Sequence, residues 1–489
     1  MSARQACAAR CSRRHARGAP PRFLVSLVAV LGALAGCTAS VSSISPTSVA
    51  AGAPPFMLTV LGSGFNQSSK VQWNGADRAT TYVSGTEIVA QIDAADISTT
   101  GSASVTVTNP NTTSGTSTVA SNTKTISIVA PSIDATAYQI DPAHDGAVAF
   151  ASVSFPSSPT WRTSLGAGTP SNIVIADGNV FVATAAPSGS QLIALKQSNG
   201  ATAWGPKAFI GVVATAAGVA YDNGRVFVSG SGSVHAYDAA TGALDWSTAL
   251  GAGFAGAPTA AGGLVYVVMT GNATLHALDE STGAITWQQP LSAARGSSAV
   301  IADGVYVTAT TSACHTIDFR PATGEVIWDS SEGTSVCPQT AESTPTVANQ
   351  LVYSPSVSGT AIFSAETGGS AGTLADSLPA AFNSNMAYFP QGANLDAVDL
   401  SGGTVAWAFT GDGTQLTAPP ILVNGYVIAG SSGGNLYALD GASGRQVWLQ
   451  TPGGQVEQLS AGDGLLLAVG ETNNDGSGTL TAYTLSTAP

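Results

Sequence analysis

A tryptophan returns every forty-odd residues along this chain, each time at the end of the same phrase. His235-Ala236-Tyr237-Asp238-Ala239-Ala240-Thr241-Gly242 runs on to Trp246, and His276-Ala277-Leu278-Asp279-Glu280-Ser281-Thr282-Gly283 runs on to Trp287. Tyr437-Ala438-Leu439-Asp440-Gly441-Ala442-Ser443-Gly444 runs on to Trp448. The steps through Trp161, Trp204, Trp246, Trp287 and Trp328 are 43, 42, 41 and 41 residues, and Trp407 precedes Trp448 by 41. A period of this size means one supersecondary unit copied around a ring or along a stack, because a single unit cannot bury its apolar face alone.

Between the tryptophans lies a second signal, a tight turn flanked by apolar alternation. Asp177-Gly178, Asn223-Gly224, Gly262-Gly263, Asp303-Gly304, Asn424-Gly425 and Asp463-Gly464 carry it, with weaker versions at Asn349-Gln350 and Ser384-Asn385. Such pairs favour hairpin turns whose two central residues need positive φ. Each period then reads as strand, hairpin, strand, a third strand ending in Asp-x-x-Thr-Gly, and a short strand carrying Trp. Four strands per unit is the blade of a β-propeller. Hairpin turns and third-strand phrases each occur eight times, with Gly372 standing where one Trp is expected. The last copy lacks its Trp strand, and Thr160-Trp161-Arg162-Thr163-Ser164 is free to supply it. Pairing of that segment with the last strand would close an eight-bladed ring and remove two exposed sheet edges.

The phrase resembles the PQQ-like (pyrroloquinoline quinone) propeller repeat over about 330 residues. Within it Asp238, Asp279 and Asp440 can bond the turn backbone, and the following Gly supplies the left-handed conformation. The seven tryptophans, Trp161 to Trp448, are expected to pack between blades with the indole N–H reaching a neighbouring carbonyl. Family members that use the quinone carry a calcium-binding acid–amide set, a catalytic Asp and often adjacent Cys residues. Here the acids sit mainly in the repeat turns and no adjacent Cys pair follows residue 36. His235, His276 and His315 read as one tolerant inter-blade position in consecutive copies, where their rings would lie too far apart to share a metal. No cofactor, metal site or catalytic residue is expected, and no G-x-S-x-G, H-E-x-x-H, P-loop or EF-hand motif occurs.

Composition decides the compartment. The first 36 residues hold six of the sixteen basic residues and no acid, and Phe23 to Gly36 form an apolar run of fourteen, too short to span a bilayer. This is a secretory signal over 1–36. Leu34-Ala35-Gly36-Cys37 resembles the lipobox of bacterial lipoproteins, which implies cleavage before Cys37, an acyl chain on its sulfur and, with Thr38 next, the outer membrane. The remaining chain carries 10 basic against 29 acidic residues, so no Lys/Arg stripe is offered to nucleic acid. Membrane attachment would rest on the lipid. Cys314 and Cys337 remain in an export context that permits a disulfide. Their bridge would close a loop of about two dozen residues, worth ~3 kcal/mol on the chain-entropy estimate; a reactive thiol pair is the alternative, although the spacing is no CxxC.

After a lipidated tether (37–43), residues 44–129 alternate apolar positions with Gly, Pro and Asn. Phe56-Met57-Leu58-Thr59-Val60-Leu61-Gly62-Ser63-Gly64-Phe65 and Val71-Gln72-Trp73-Asn74-Gly75 carry a resemblance to the IPT/TIG immunoglobulin-like domains. Trp73 and Phe65 are its expected core. A linker (130–159) leads to the propeller (160–489). The expected fold is all-β, an eight-bladed propeller preceded by an immunoglobulin-like sandwich. Its anchor and repeats are similar to those of the lipoprotein propeller of the outer-membrane barrel-assembly machinery, which lacks the sandwich. The function expected is a lipid-anchored, non-catalytic scaffold, a monomer binding a protein or cell-envelope partner at one propeller face. A surface adhesion protein and a calcium- and PQQ-dependent quinoprotein dehydrogenase are the alternatives.

Overall fold

The computed structural model describes residues 39–46, 48–50, 55–99, 101–110, 120–129, 134–150, 152–166, 168–186, 189–209, 218–294, 296–310, 313–331, 337, 344–356, 359–471 and 477–485. Cys37 and the segment expected as a signal (1–36) lie outside them. The chain divides into two compact units near residue 128, with 48–51 grouped with the second.

The first unit is a β-sandwich. One sheet orders Ser40–Ser45, Phe56–Ser63, Glu87–Ile92 and Thr80–Ser84; the other contains Lys124–Val129, Gly101–Thr108, Lys70–Trp73 and Ala76–Asp77. Alternate residues Leu58, Val60, Val71, Ile88, Val105 and Val107 are fully buried, and Trp73 and Phe65 lie among the buried residues.

The second unit is all-β, built from consecutive antiparallel sheets whose strands follow chain order. The sheet of Trp287 shows the plan: Thr259–Ala261, Leu264–Met269, Thr274–Asp279 and Ile285–Pro290. Its inner strand is short because that strand faces the axis, where the sheets converge. Valines and leucines on both faces pack against neighbouring sheets, so Val265, Val267, Leu275 and Leu278 are fully buried. Trp161–Gly166 pairs antiparallel with Gly478–Thr484, in register Trp161 to Ala482, and so becomes the outer strand of the sheet that begins at Gln455.

Positive φ marks the hairpins at Asp177-Gly178, Asn223-Gly224, Gly262-Gly263, Asn349-Gln350, Asn424-Gly425 and Asp463-Gly464. Asp303-Gly304 departs from the expectation. Ile301 already pairs with Gly304, so that turn centres on Ala302-Asp303. The glycine is needed there for space, since a Cβ would meet the Tyr306 hydroxyl at 2.3 Å and Asp318 Oδ1 at 2.7 Å.

The stretch expected as a linker is instead a built part of this unit. Ala135 exchanges backbone hydrogen bonds with Ile175, and Ala147–Val148 pairs parallel with Ile421–Val423. The free inner edges of the innermost strands present unpaired N–H groups to the axis, and this segment satisfies them.

Candidate functional site

Each tryptophan is one half of a latch between sheets. Trp204 Nε1 donates to Ala239 O at 2.8 Å, Trp246 to Glu280 O at 2.9 Å, Trp287 to Pro321 O at 2.8 Å and Trp328 to Ala365 O at 2.9 Å. Trp161 reaches Gln197 O and Trp407 reaches Gly441 O in the same way. The acceptor is always the first residue of the next sheet's turn. The turn glycine lies flat on the same indole: a Cβ on Gly283 would meet Trp246 Cε3 at 2.5 Å, and one on Gly324 would meet Trp287 Cε3 at 2.5 Å. Trp448 breaks the series by donating to Pro156 O at 2.6 Å.

The turn aspartates hold the other half. Asp238 Oδ1 accepts the Thr241 N–H at 2.8 Å and hydroxyl at 2.6 Å, and Asp440 accepts the same pair from Ser443. These hydroxyls, then the backbone donors, hold both carboxylates below the usual range. In Asp279, desolvation pushes upward, but donors from Ser281 and Thr282 outweigh it.

His235 and His276 do share a strand position, since Ala236 and Ala277 pair with Trp246 and Trp287. His315 does not. Asp318 pairs with Trp328, so Ile317 holds the equivalent place and His315 lies two residues earlier. Its Nδ1 sits 2.7 Å from Asp329 Oδ1. The shift escaped notice because Arg320 replaces the turn Asp in this copy. Among the described residues no three His, Cys, Asp or Glu side chains converge on one ion position. Cys314 and Cys337 are joined by a disulfide, with Cα atoms 4.4 Å apart.

Residues 134–150 form a plug across the axis. Thr136 O accepts from Tyr221 N, Pro142 O from Val300 N, Ala143 O from Val347 N, Asp145 O from Phe382 N and Gly146 O from Leu422 N, all at 2.7–2.9 Å. Its bends need positive φ at Gln139, Ile140, His144 and Gly146, which is costly for a β-branched Ile and is held by the surrounding strands. Three ionisable groups sit here, His144 fully buried and Asp141 and Asp145 partly so. Burial raises Asp141 and Asp145, and the charge of Asp141 raises Asp145 further. Burial lowers His144 to about 4, and its Nε2 has no partner.

The plug parts the axial channel. On the hairpin side a cavity of ≈380 Å³ is bordered by Asp145, Asn349, Asn383 and Asn424. On the other side lies a funnel of ≈590 Å³, formed where the chain enters the inner strands and including Tyr138 of the plug. Among the described residues its wall is mostly small or neutral, with Gly218, Gly256, Ala257, Gly296, Ser297, Thr344, Pro379, Ala418 and others, and Glu457 is the one carboxylate. Such a wall exposes backbone and permits close approach, and the volume lies within the usual range of ligand sites.

A quinone with its calcium would need an acid–amide set converging on a flat aromatic platform. The Asn172 amide is committed at both ends, donating to Val219 O at 2.8 Å and accepting Val219 N–H at 3.0 Å. Among the described residues Gln415 and Gln458 also border the funnel, but Glu457 is its single carboxylate, and one acid with the Asn172 amide committed does not make that set. Sequence reasoning missed both the plug and Glu457; Tyr138-Gln139-Ile140-Asp141-Pro142-Ala143-His144-Asp145-Gly146 was visible as a phrase, but no periodicity tied it to the axis.

The sequence model of the family described as outer membrane protein assembly factor BamB matches residues 210–388 and 391–488, more than half of the chain. The IPT/TIG domain model matches residues 39–135. No curated protein matches the chain by sequence. Among solved structures, BamB from Moraxella catarrhalis is similar with a TM-score of 0.53 at 20% identity, over 69% of this chain and 99% of that one. A quinohemoprotein alcohol dehydrogenase from Comamonas testosteroni gives 0.58 at 14% identity, over 73% and 81%. A europium-containing methanol dehydrogenase gives 0.58 at 14% identity, over 72% and 98%. At these identities the likeness is one of fold alone.

Proposed function

The chain belongs to the family of outer membrane protein assembly factor BamB, and on that premise we propose that it is an exported, non-catalytic scaffold whose funnel face engages a protein partner. The ring is eight-bladed and closed: sheets of the second unit number eight among the described residues, and the strand of Trp161 completes the last of them. The immunoglobulin-like module (44–129) is a spacer, and the propeller (160–489) incorporates the plug that precedes it. An acyl chain on Cys37 holds the protein, as a monomer, at the bacterial outer membrane.

The observation that carries this reading is the funnel itself. It is bordered by the protein's own plug through Tyr138, and its described lining is mostly small or neutral, with Glu457 as the exception. Such a wall suits an inserted peptide loop better than a charged cofactor.

Titration of the full-length processed protein with pyrroloquinoline quinone and Ca²⁺ is expected to give no saturable binding. Saturable micromolar binding would replace the scaffold with a dehydrogenase. A palmitate analogue is expected to label the wild-type protein and not Cys37→Ala; label on the variant would refute the anchor.

A further inference from the structure

Among the described residues, the charge bordering the funnel is that of Glu457 alone. Gln455–Gly462 is the longest of the inner strands, and it carries a bulge: Val456 pairs with Gly470 and Gln458 with Val469, leaving Glu457 unmatched between them. A bulge re-aims its extra side chain, and here Glu457 lines the cavity. The bulge is pinned from the neighbouring sheet. Val456 N–H donates to Ser431 O at 3.1 Å, and the Thr417 hydroxyl donates to Val456 O at 2.6 Å. A Cβ on Gly430 would meet the Val456 side chain at 2.3 Å, so the strand has no room to slip.

Where the other sheets enter the funnel they contribute Asn172, Gly218, Ala257, Ser297, Thr344 and Pro379, all uncharged. Glu457 accepts a hydrogen bond from the Gln455 amide. Burial first, and the charge of Glu471 second, raise its affinity for a proton. A cation placed beside it offsets both effects. No Lys, Arg or His borders the cavity among the described residues. Tyr138 supplies an aromatic ring in the same cavity, a surface that favours cations. The volume admits a side chain on a loop and excludes a folded domain.

We propose that the funnel receives one arginine or lysine side chain, presented on a loop of the protein partner, with Glu457 as its anchor. This deepens the scaffold reading and rests on it. Short capped peptides, Gly-Arg-Gly and its Gln and Glu counterparts, serve as probes in ligand-observed NMR titrations of the full-length processed protein. The Arg peptide is expected to bind about tenfold tighter than the Gln peptide, as a charged hydrogen bond gives, with the Glu peptide weakest. Glu457→Gln is expected to bring the Arg peptide down to the Gln peptide while the latter is unchanged. Glu457→Asp, which keeps the charge on a shorter stem, is expected to give an intermediate preference. Equal binding of Arg and Gln peptides by the wild type, no binding of any, or an Arg preference untouched in both variants overturns the proposal. A partner captured equally by wild type and Glu457→Gln would also remove it, while leaving the scaffold reading in place.

Discussion

Two interfaces in the ring, separated by one other, are built differently. Between the sheets of Trp287 and Trp328 the full latch is present: the indole donates to Pro321 O, and Gly324 lies against the ring. Tyr266 backs the same indole, with ring centroids 5.9 Å apart. One sheet after Trp328, Gly372 replaces the tryptophan. A Cβ on Gly403 there would meet nothing nearer than Leu374 Cδ2 at 3.6 Å. Tyr353, which has no indole to back, packs instead on Phe382 of the next sheet at 4.4 Å, and Phe389 joins at 6.1 Å. The plug clamps the same pair of sheets, through Ala143 O to Val347, Asp145 O to Phe382 and the Gln139 amide to Ala380 O. Where the outer latch is missing, contacts near the axis take its place. The repeat therefore describes one way of joining sheets, and the ring uses two.

The largest test removes a latch where nothing replaces it. Trp287→Ala is expected to destabilise by about 3–5 kcal/mol, the range for a buried aromatic truncated to Ala, read as a shift in the urea unfolding midpoint. A loss below about 1 kcal/mol, within the scatter of ordinary substitutions, would mean that the latch carries little.

A smaller contrast sharpens the comparison. Gly324 and Gly403 have nearly the same positive φ, 71° and 63°, so alanine pays the same backbone strain of about 1–2 kcal/mol at each. Only at Gly324 does the new methyl also strike an indole. Gly324→Ala should therefore cost about 1 kcal/mol or more beyond Gly403→Ala, as overpacking does. Equal losses in thermal melts would show that glycine is there for φ alone.

The smallest effect probes the substitute clamp. Asp145 has its folded pKa raised above the ordinary 3.8 to about 8, so its stabilising contribution is present at low pH and fades as pH rises through that value. His144 works in the opposite sense, because its depressed pKa makes it lose stability as pH falls from 6.5 toward about 4. Above pH 6.5 the loss with rising pH belongs to the carboxyls. Asp222 and Asp318, also raised by burial, share it elsewhere in the ring. The wild type is thus expected to lose more stability than Asp145→Asn between pH 6.5 and 8.5. Parallel pH profiles for the two proteins would free the plug from any such dependence.

Local geometry was legible in the sequence where one residue type does one job. Trp246 before a Thr-Gly turn announces a ring that needs a flat neighbour, and the Asp238 carboxylate sits three residues from its donor. The plug was not legible. Its hydrogen-bond partners lie up to a few hundred residues away, and Gln139 and Ile140 adopt positive φ that no local preference favours. Glu457 was hidden for a different reason: a strand with a bulge has the same composition as one without. His315 misled because a shared residue type suggested alignment, whereas the Thr-Gly turn at Thr323-Gly324 sets the register.

The strand exchange at the seam has a kinetic consequence. Thr160 and Thr484 hydrogen-bond to each other across 324 residues of sequence. During synthesis or export from the N-terminus, Trp161–Gly166 emerges early, yet among the described residues its sheet partner is Gly478–Thr484. Loop-closure entropy grows slowly with length, but so distant a contact cannot form until nearly the whole ring exists. Until then the seam strand and the Gln455 sheet each present an open edge. Folding of this ring is therefore expected to finish where it begins in sequence, and the vulnerable interval is the wait for residue 484.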